Sequence, residues 1–162
     1  MNLVIGLGNI LLTDEGIGVH VLRELKKRNT MPNTEFVDLG TSSLDLEYFI
    51  REDTEKMVVI DCIKAFGSEP GAIYKISLDD LKKKRSAEYS LHQLEFIDSI
   101  NLISLLSKVP KTIIFGITPS DMQSLSLNLS DSLNVQFETI CRKIEKEILI
   151  FFGFKFVDIN KL

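Results

Sequence analysis

Residues 1–18 read MNLVIGLGNILLTDEGIG. Leu3, Val4 and Ile5 form a short apolar run that Gly6 and Gly8 interrupt. Asp14 and Glu15 follow as an acidic pair, and Gly16 and Gly18 precede an apolar-striped segment. A strand, a glycine turn and a helix start, in that order, open an α/β domain. A dinucleotide site on this plan requires Gly-x-Gly-x-x-Gly, so that pyrophosphate meets the helix N-terminus. Here Leu11 occupies the third glycine position. The two carboxylates at the helix entry repel phosphate. Two acids beside a helix N-terminus suit a cation instead.

Outward from this segment, short β-type runs alternate with longer helical patterns. Strands are expected at Leu3–Ile5, Glu35–Val37, Met57–Ile60, Ile73–Ile76 and Thr112–Ile117. The third and fifth runs are apolar on both faces, as in strands covered on both sides. Ile17, Val21, Leu22 and Leu25 form one helical stripe; Leu94, Ile97, Ile100 and Ile103 form another. Leu133, Phe137, Ile140, Ile144 and Ile148 form the longest. Ser42-x-x-Asp45 resembles a capping box for a short helix ending near Ile50. Pro70-Gly71 and the region around Pro119 read as turns, and Gln123 to Asp131 as a flexible surface loop. This alternation implies an α/β fold: a mostly parallel sheet of about five strands sandwiched by helices in a single domain, residues 1–162.

A length of 162 residues fits one such domain. The net charge of −4 argues against a nucleic-acid partner. The two cysteines, Cys62 and Cys141, form no CxxC pair, so neither a disulfide scaffold nor a zinc ribbon is expected. The chain shows no signal-peptide layout and no apolar run of about 18 residues, so the cytoplasm is the expected compartment and no membrane partner is expected.

In an open α/β sheet, ligands bind outside the carboxyl ends of the strands. Glu15 follows the first strand, Asp61 ends the VVID run, and His92 opens the third helical pattern. Two carboxylates and an imidazole suit a borderline divalent metal such as nickel, zinc or cobalt. They equally polarise a carbonyl or activate water. Each also has a bland role: an acid favours a helix N-terminus by about 0.3–1 kcal/mol, Asp61 caps a strand end, and a lone histidine packs. Asp38, in VDLGTSS, reaches the same rim or bonds nearby loop amides. Cys62 adjoins a carboxylate that disfavours its thiolate, so it reads as a packing residue. Lys82-Lys83-Lys84-Arg85 reads as a solvated face or as a contact for an acidic partner.

These residues together resemble the [NiFe]-hydrogenase maturation endopeptidases over nearly the whole length. The matching positions are Gly6-Leu7-Gly8-Asn9, Leu11-Leu12, Asp14-Glu15 and Gly16-Ile17-Gly18, then Asp38-Leu39-Gly40-Thr41. Asp61 with Pro70-Gly71, His92-Gln93-Leu94 and Gly116-Ile117-Thr118-Pro119 complete the pattern. Leu39 stands where a second glycine is common, Cys62 stands where a small alanine is common, and the stretch after Phe151 carries no family motif. The resemblance implies a twisted, mostly parallel sheet between helices. It also implies an endopeptidase that cuts a C-terminal extension from the nickel-loaded precursor of a [NiFe]-hydrogenase large subunit. Glu15, Asp61 and His92 then meet the nickel, supplied by the precursor, and Asp38 lines the cleft. Asp14, as the neighbour of Glu15, is expected to tolerate Asp14→Asn better than Asp61 tolerates Asp61→Asn. The alternative is a nickel-binding maturation scaffold that docks on the large subunit without cutting it.

Overall fold

The computed structural model describes residues 1–65, 67–83 and 91–154, without the side chains of 81–83 and 91–94. Strands β1 (Asn2–Leu7), β2 (Thr34–Gly40), β3 (Lys56–Cys62), β4 (Ile73–Ser77) and β5 (Lys111–Ile117) form one sheet, ordered β2-β1-β3-β5-β4. All pairings are parallel except that of the edge strand β4 with β5. The helices are α1 (Ile17–Arg28), α2 (Leu78–Lys83), α3 (Leu91–Leu106) and α4 (Asp131–Phe152). Short 3-10 turns occupy Thr13–Gly16 and Ser43–Tyr48. Among the described residues no helix is long and apolar enough to cross a membrane.

The continuous apolar runs have a simple cause: both faces of the sheet are covered. Val4, Val58, Ile60, Ile113 and Phe115 pack with α1 and α4. Leu3, Ile5, Met57, Val59 and Ile114 pack with α3 and the Ser43–Tyr48 turn. The stripe Ile17, Val21, Leu22 and Leu25 is fully or almost fully buried, as are Leu133, Ile140, Ile144 and Ile148 of α4. On α3, Phe96, Ile100 and Ile103 are buried, whereas Leu94 lies outside the described side chains. Arg28 ties α1 to α4, donating to Glu145 at 2.8 Å and Glu138 at 2.7 Å, and Thr30 Oγ1 donates to Glu145 at 2.6 Å.

The expected capping box takes another form. The segment after Ser42 is a 3-10 helix, and Ser42 makes no side-chain cap bond; its hydroxyl reaches Asp45 Oδ2 at 3.5 Å instead. A 3-10 turn is too short to need the reciprocal bonding of an α-helix N-terminus. The Lys82–Arg85 run is divided: Lys82 and Lys83 end the backbone of α2, and Lys84 and Arg85 lie outside the described residues.

The glycines of residues 1–18 bring backbones together. A Cβ on Gly18 would stand 2.2 Å from the Ile60 carbonyl oxygen and 2.4 Å from that of Leu7. Gly8 has φ +128°, and a Cβ there would meet the Glu15 carbonyl oxygen at 1.9 Å. Both contacts exclude any side chain. They press the acidic turn onto the carboxyl ends of β1 and β3.

The segment after β5 departs from the flexible loop expected from its composition. Asp14, 0% exposed, holds it in place. Its Oδ2 accepts from Ser120 N and Asp121 N, each at 2.9 Å, and from Ser130 Oγ at 2.7 Å; its Oδ1 accepts from Ser130 N at 2.8 Å. Ser130 is the N-cap of α4, its hydroxyl accepting from Leu133 N. One buried carboxylate therefore fastens the loop after β1, the loop after β5 and the start of α4. Because β4 runs antiparallel to β5, its first residues also lie at the carboxyl edge, where Gly71 N donates to Thr118 O at 2.8 Å.

Asp14→Asn turns one acceptor oxygen into a donor that faces donors. The expected outcome is a loss of about 2–4 kcal/mol of stability, because hydrogen bonds to a charged group contribute most when buried. Urea unfolding measures it, and Asp131→Asn, exposed at the same helix end, should change the midpoint far less. Asp14→Asn is thus not a mild substitution for the fold.

Candidate active site

From β1 the chain passes through α1 to β2 on one side, while β3 flanks β1 on the other. Strand order reverses between β1 and β3. In open α/β sheets, the crevice outside the carboxyl ends at such a point is where ligands bind. Glu15, in the turn after β1, is half-buried there. Asp61 stands one residue beyond Ile60, the β3 partner of Gly6, and is 2% exposed. Asp61 Oδ1 accepts from Cys62 N at 2.8 Å.

Strand alternation puts Asp61 on the α3 face with Met57 and Val59, and Cys62 on the α1–α4 face. The Cys62 sulfur lies 3.9 Å from Met122 Sδ. Burial pushes the Cys62 thiol pKa far up, and the charges of Asp61, Glu15 and Asp14 push it further. One buried thiol thus feels both carboxylates across the β1–β3 junction. It stays protonated and is a packing group, as its sequence neighbours imply.

His92 is the second residue of α3. α3 leads into β5, which is parallel to β3, so the helix starts at the carboxyl edge of the sheet. The His92 side chain lies outside those described. Asp38 sits at the same edge but on the α1 face of β2, paired with Gly6 of β1. Arg23 Nη2 donates to its Oδ2 at 2.9 Å, and Gly40 N donates to its Oδ1 at 3.1 Å. The structure therefore sets Glu15 just past β1 and Asp61 near the end of the adjacent β3, sets the His92 backbone at the same edge, and ties Asp38 into an ion pair with Arg23 on the α1 face. Among the described residues, no three His, Cys, Asp or Glu side chains are grouped as a metal cage.

A cleft of about 620 Å³ opens at this edge, lined by Glu15, Lys64, Thr118, Ser120, Asp121 and Met122 among others. Thr118 is buried, and its Oγ1 has no hydrogen-bond partner among the described residues. The Ser124 hydroxyl, followed by the backbone amides of Gln123 and Ser124, lowers the Asp121 pKa, so its carboxylate stays charged. Sequence reasoning placed Gly116-Ile117 at the end of a strand, read the region around Pro119 as a turn and matched the stretch to a family motif, but gave Thr118 no place in the site. Its position just past a strand's carboxyl end was the available signal that it lines a site.

The sequence profile of the hydrogenase maturation proteases (HycI) matches residues 19–147, a span that contains Asp38, Asp61 and His92 and begins just after Glu15. The hydrogenase expression/formation protein HupD of Bradyrhizobium diazoefficiens is 36% identical over 124 residues. That alignment covers 75% of this chain and 64% of the relative, so the chain spans just under two thirds of that protein's length. The hydrogenase maturating endopeptidase HybD from E. coli superposes with a TM-score of 0.80 at 25% identity, covering 94% of this chain and 93% of the other. The [NiFe] hydrogenase maturation protease HybD from Thermococcus kodakarensis superposes with a TM-score of 0.76 at 27% identity, covering 90% and 97%. With the profile matched over most of its length and the same sheet and helices around the acidic edge, the chain belongs to the hydrogenase maturation protease family.

Proposed function

We propose that this protein is an endopeptidase that removes a C-terminal extension from the nickel-loaded precursor of a [NiFe]-hydrogenase large subunit. Glu15, Asp61 and His92 contact the nickel that the precursor carries. The observation that supports this most is the placement of Glu15 and Asp61 at the carboxyl ends of the neighbouring strands β1 and β3 in a chain of this family. Carboxylate oxygen and imidazole nitrogen match the preferences of a borderline divalent ion. Nickel, as part of the substrate, supplies a fixed positive point from which the scissile bond is positioned. Asp38, paired with Arg23, orders the turn after β2 at the outer rim.

Hydrolysis adds water across the peptide bond: the water oxygen bonds to the carbonyl carbon, the C–N bond breaks, and the amine leaves with a proton. A carboxylate at the crevice accepts the water's proton and returns it to the leaving nitrogen. The protonated Cys62 takes no part as a nucleophile.

Incubation with nickel-loaded and nickel-free precursor tests the reading. Only the loaded form should lose its tail, seen as a mass decrease; equal cleavage of both would show that nickel is not the recognition element. Binding of the loaded form without cleavage would mark a maturation scaffold instead.

Asp61→Asn retains the oxygen that accepts from Cys62 N, so the fold should persist. Processing should fall by at least about 100-fold, in the range of a lost acid–base group, while the melting temperature moves by only a few degrees. Normal processing by the variant would remove Asp61 from the site.

Iodoacetamide at mildly alkaline pH should leave Cys62 unmodified and the cleavage rate unchanged, because its thiol is buried and neutral. Rapid alkylation with loss of activity would point to a thiol nucleophile.

A further inference from the structure

The chain is still pinned where it leaves β3. Ile63, the residue after the strand, donates from N to Ile117 O at 2.9 Å. Its side chain is buried against Gly116, where a Cβ would stand 2.4 Å from Ile63 Cγ2. Lys64 follows at once. Its stem therefore springs from a fixed point on the carboxyl edge, just beyond Asp61 and Cys62, while the residue itself is exposed. A four-carbon stem gives the ammonium group reach from that point.

Lys64 lines the cleft with Glu15 and Asp121, and among the described residues of that lining it is the only cation. A second observation sets its charge near the end of β3. The charged groups that act on the Cys62 thiol are Asp61, Glu15, Asp14 and Lys64, and Lys64 alone opposes the other three. One ammonium group thus stands within electrostatic reach of the place where the carboxylates of the working edge are felt together.

Peptide hydrolysis gives such a cation a task. When the water oxygen bonds to the scissile carbonyl carbon, the π electron pair of the C=O bond moves onto its oxygen, and the water's proton passes to a carboxylate. That oxygen stays negative until the electron pair returns, the C–N bond breaks and the leaving nitrogen takes the proton. A negative oxygen formed beside Glu15 and Asp121 is repelled by both. A cation set where the charge develops lowers the barrier without tightening the ground state.

We infer that Lys64 is a further catalytic residue: its ammonium group pairs with the scissile carbonyl oxygen as that oxygen becomes negative. This inference rests on the processing function proposed above. The two signs of charge in the cleft then have separate tasks. The carboxylates meet the metal and move the proton, and the lysine meets the oxyanion.

The test compares wild type with Lys64→Met, which keeps an unbranched stem without the charge, and with Lys64→Arg, which keeps the charge. Lys108→Met is the control, because Lys108 is exposed just before β5, at the opposite edge of the sheet. Cleavage of nickel-loaded precursor gives kcat and KM, and thermal melting reports folding. Lys64→Met should melt like wild type and hold KM within about twofold, while kcat falls at least about tenfold, as for a lost oxyanion donor. Lys64→Arg should recover most of that loss, and Lys108→Met should match wild type. An unchanged kcat in Lys64→Met, a rise in KM alone, or a failure of arginine to rescue overturns the role of Lys64. If wild type does not cleave the loaded precursor, the processing reading fails and the role of Lys64 falls with it. If wild type and Lys64→Met cleave equally, only the role of Lys64 fails.

Discussion

The carboxylate of Asp14 is the interaction on which the working edge of this protein depends. It is buried and accepts four hydrogen bonds from groups 106 to 116 residues away in sequence. Those donors include the hydroxyl that caps α4, so its negative charge also faces a helix N-terminus, where it is favoured. With that carboxylate satisfied, the turn after β1 has one position. Glu15, next in sequence, is thereby held at the crevice, and the loop beyond β5 becomes a wall. Two adjacent acids of nearly equal chemistry thus differ in place: Asp14 is fully buried in structure, and Glu15 is half-buried in the cleft wall.

Sequence periodicity carried most of the architecture. All five expected strands appear, and the α1 stripe and the α4 stripe, Phe137 only partly, are buried, because apolar spacing and burial have one physical cause. The site was legible only in part. That Glu15 and Asp61 lie at the carboxyl edge follows from their positions after β1 and near the end of β3. The division of labour between Asp14 and Glu15 did not follow, since the donors that bury Asp14 come from a distant loop. The face on which Asp38 lies was also hidden. A strand in a doubly covered sheet has little polar alternation to report its orientation, and only the register with Gly6 and the Arg23 contact fix it.

The crevice also shows how charge is kept where it is useful. Cys62, on the α1–α4 face, keeps its proton because it is buried, and the neighbouring carboxylates reinforce this. A thiol that remains neutral competes weakly for a thiophilic metal. The small, inert sulfur fills space against Met122 without adding a rival donor.

The reversal of β4 has a further consequence. The chain leaves β3 and enters β4 at the same edge of the sheet. Of the connection, Lys64, Ala65, Gly67 and Ser68 form part of the cleft wall, yet the core residues of the parallel strands do not depend on its length. Loop-closure entropy makes a doubling of such a segment cost only about 0.6 kcal/mol. An insertion or deletion here reshapes the entrance while leaving the buried frame intact, which makes it a place where relatives can diverge in the substrates they admit without renegotiating their stability.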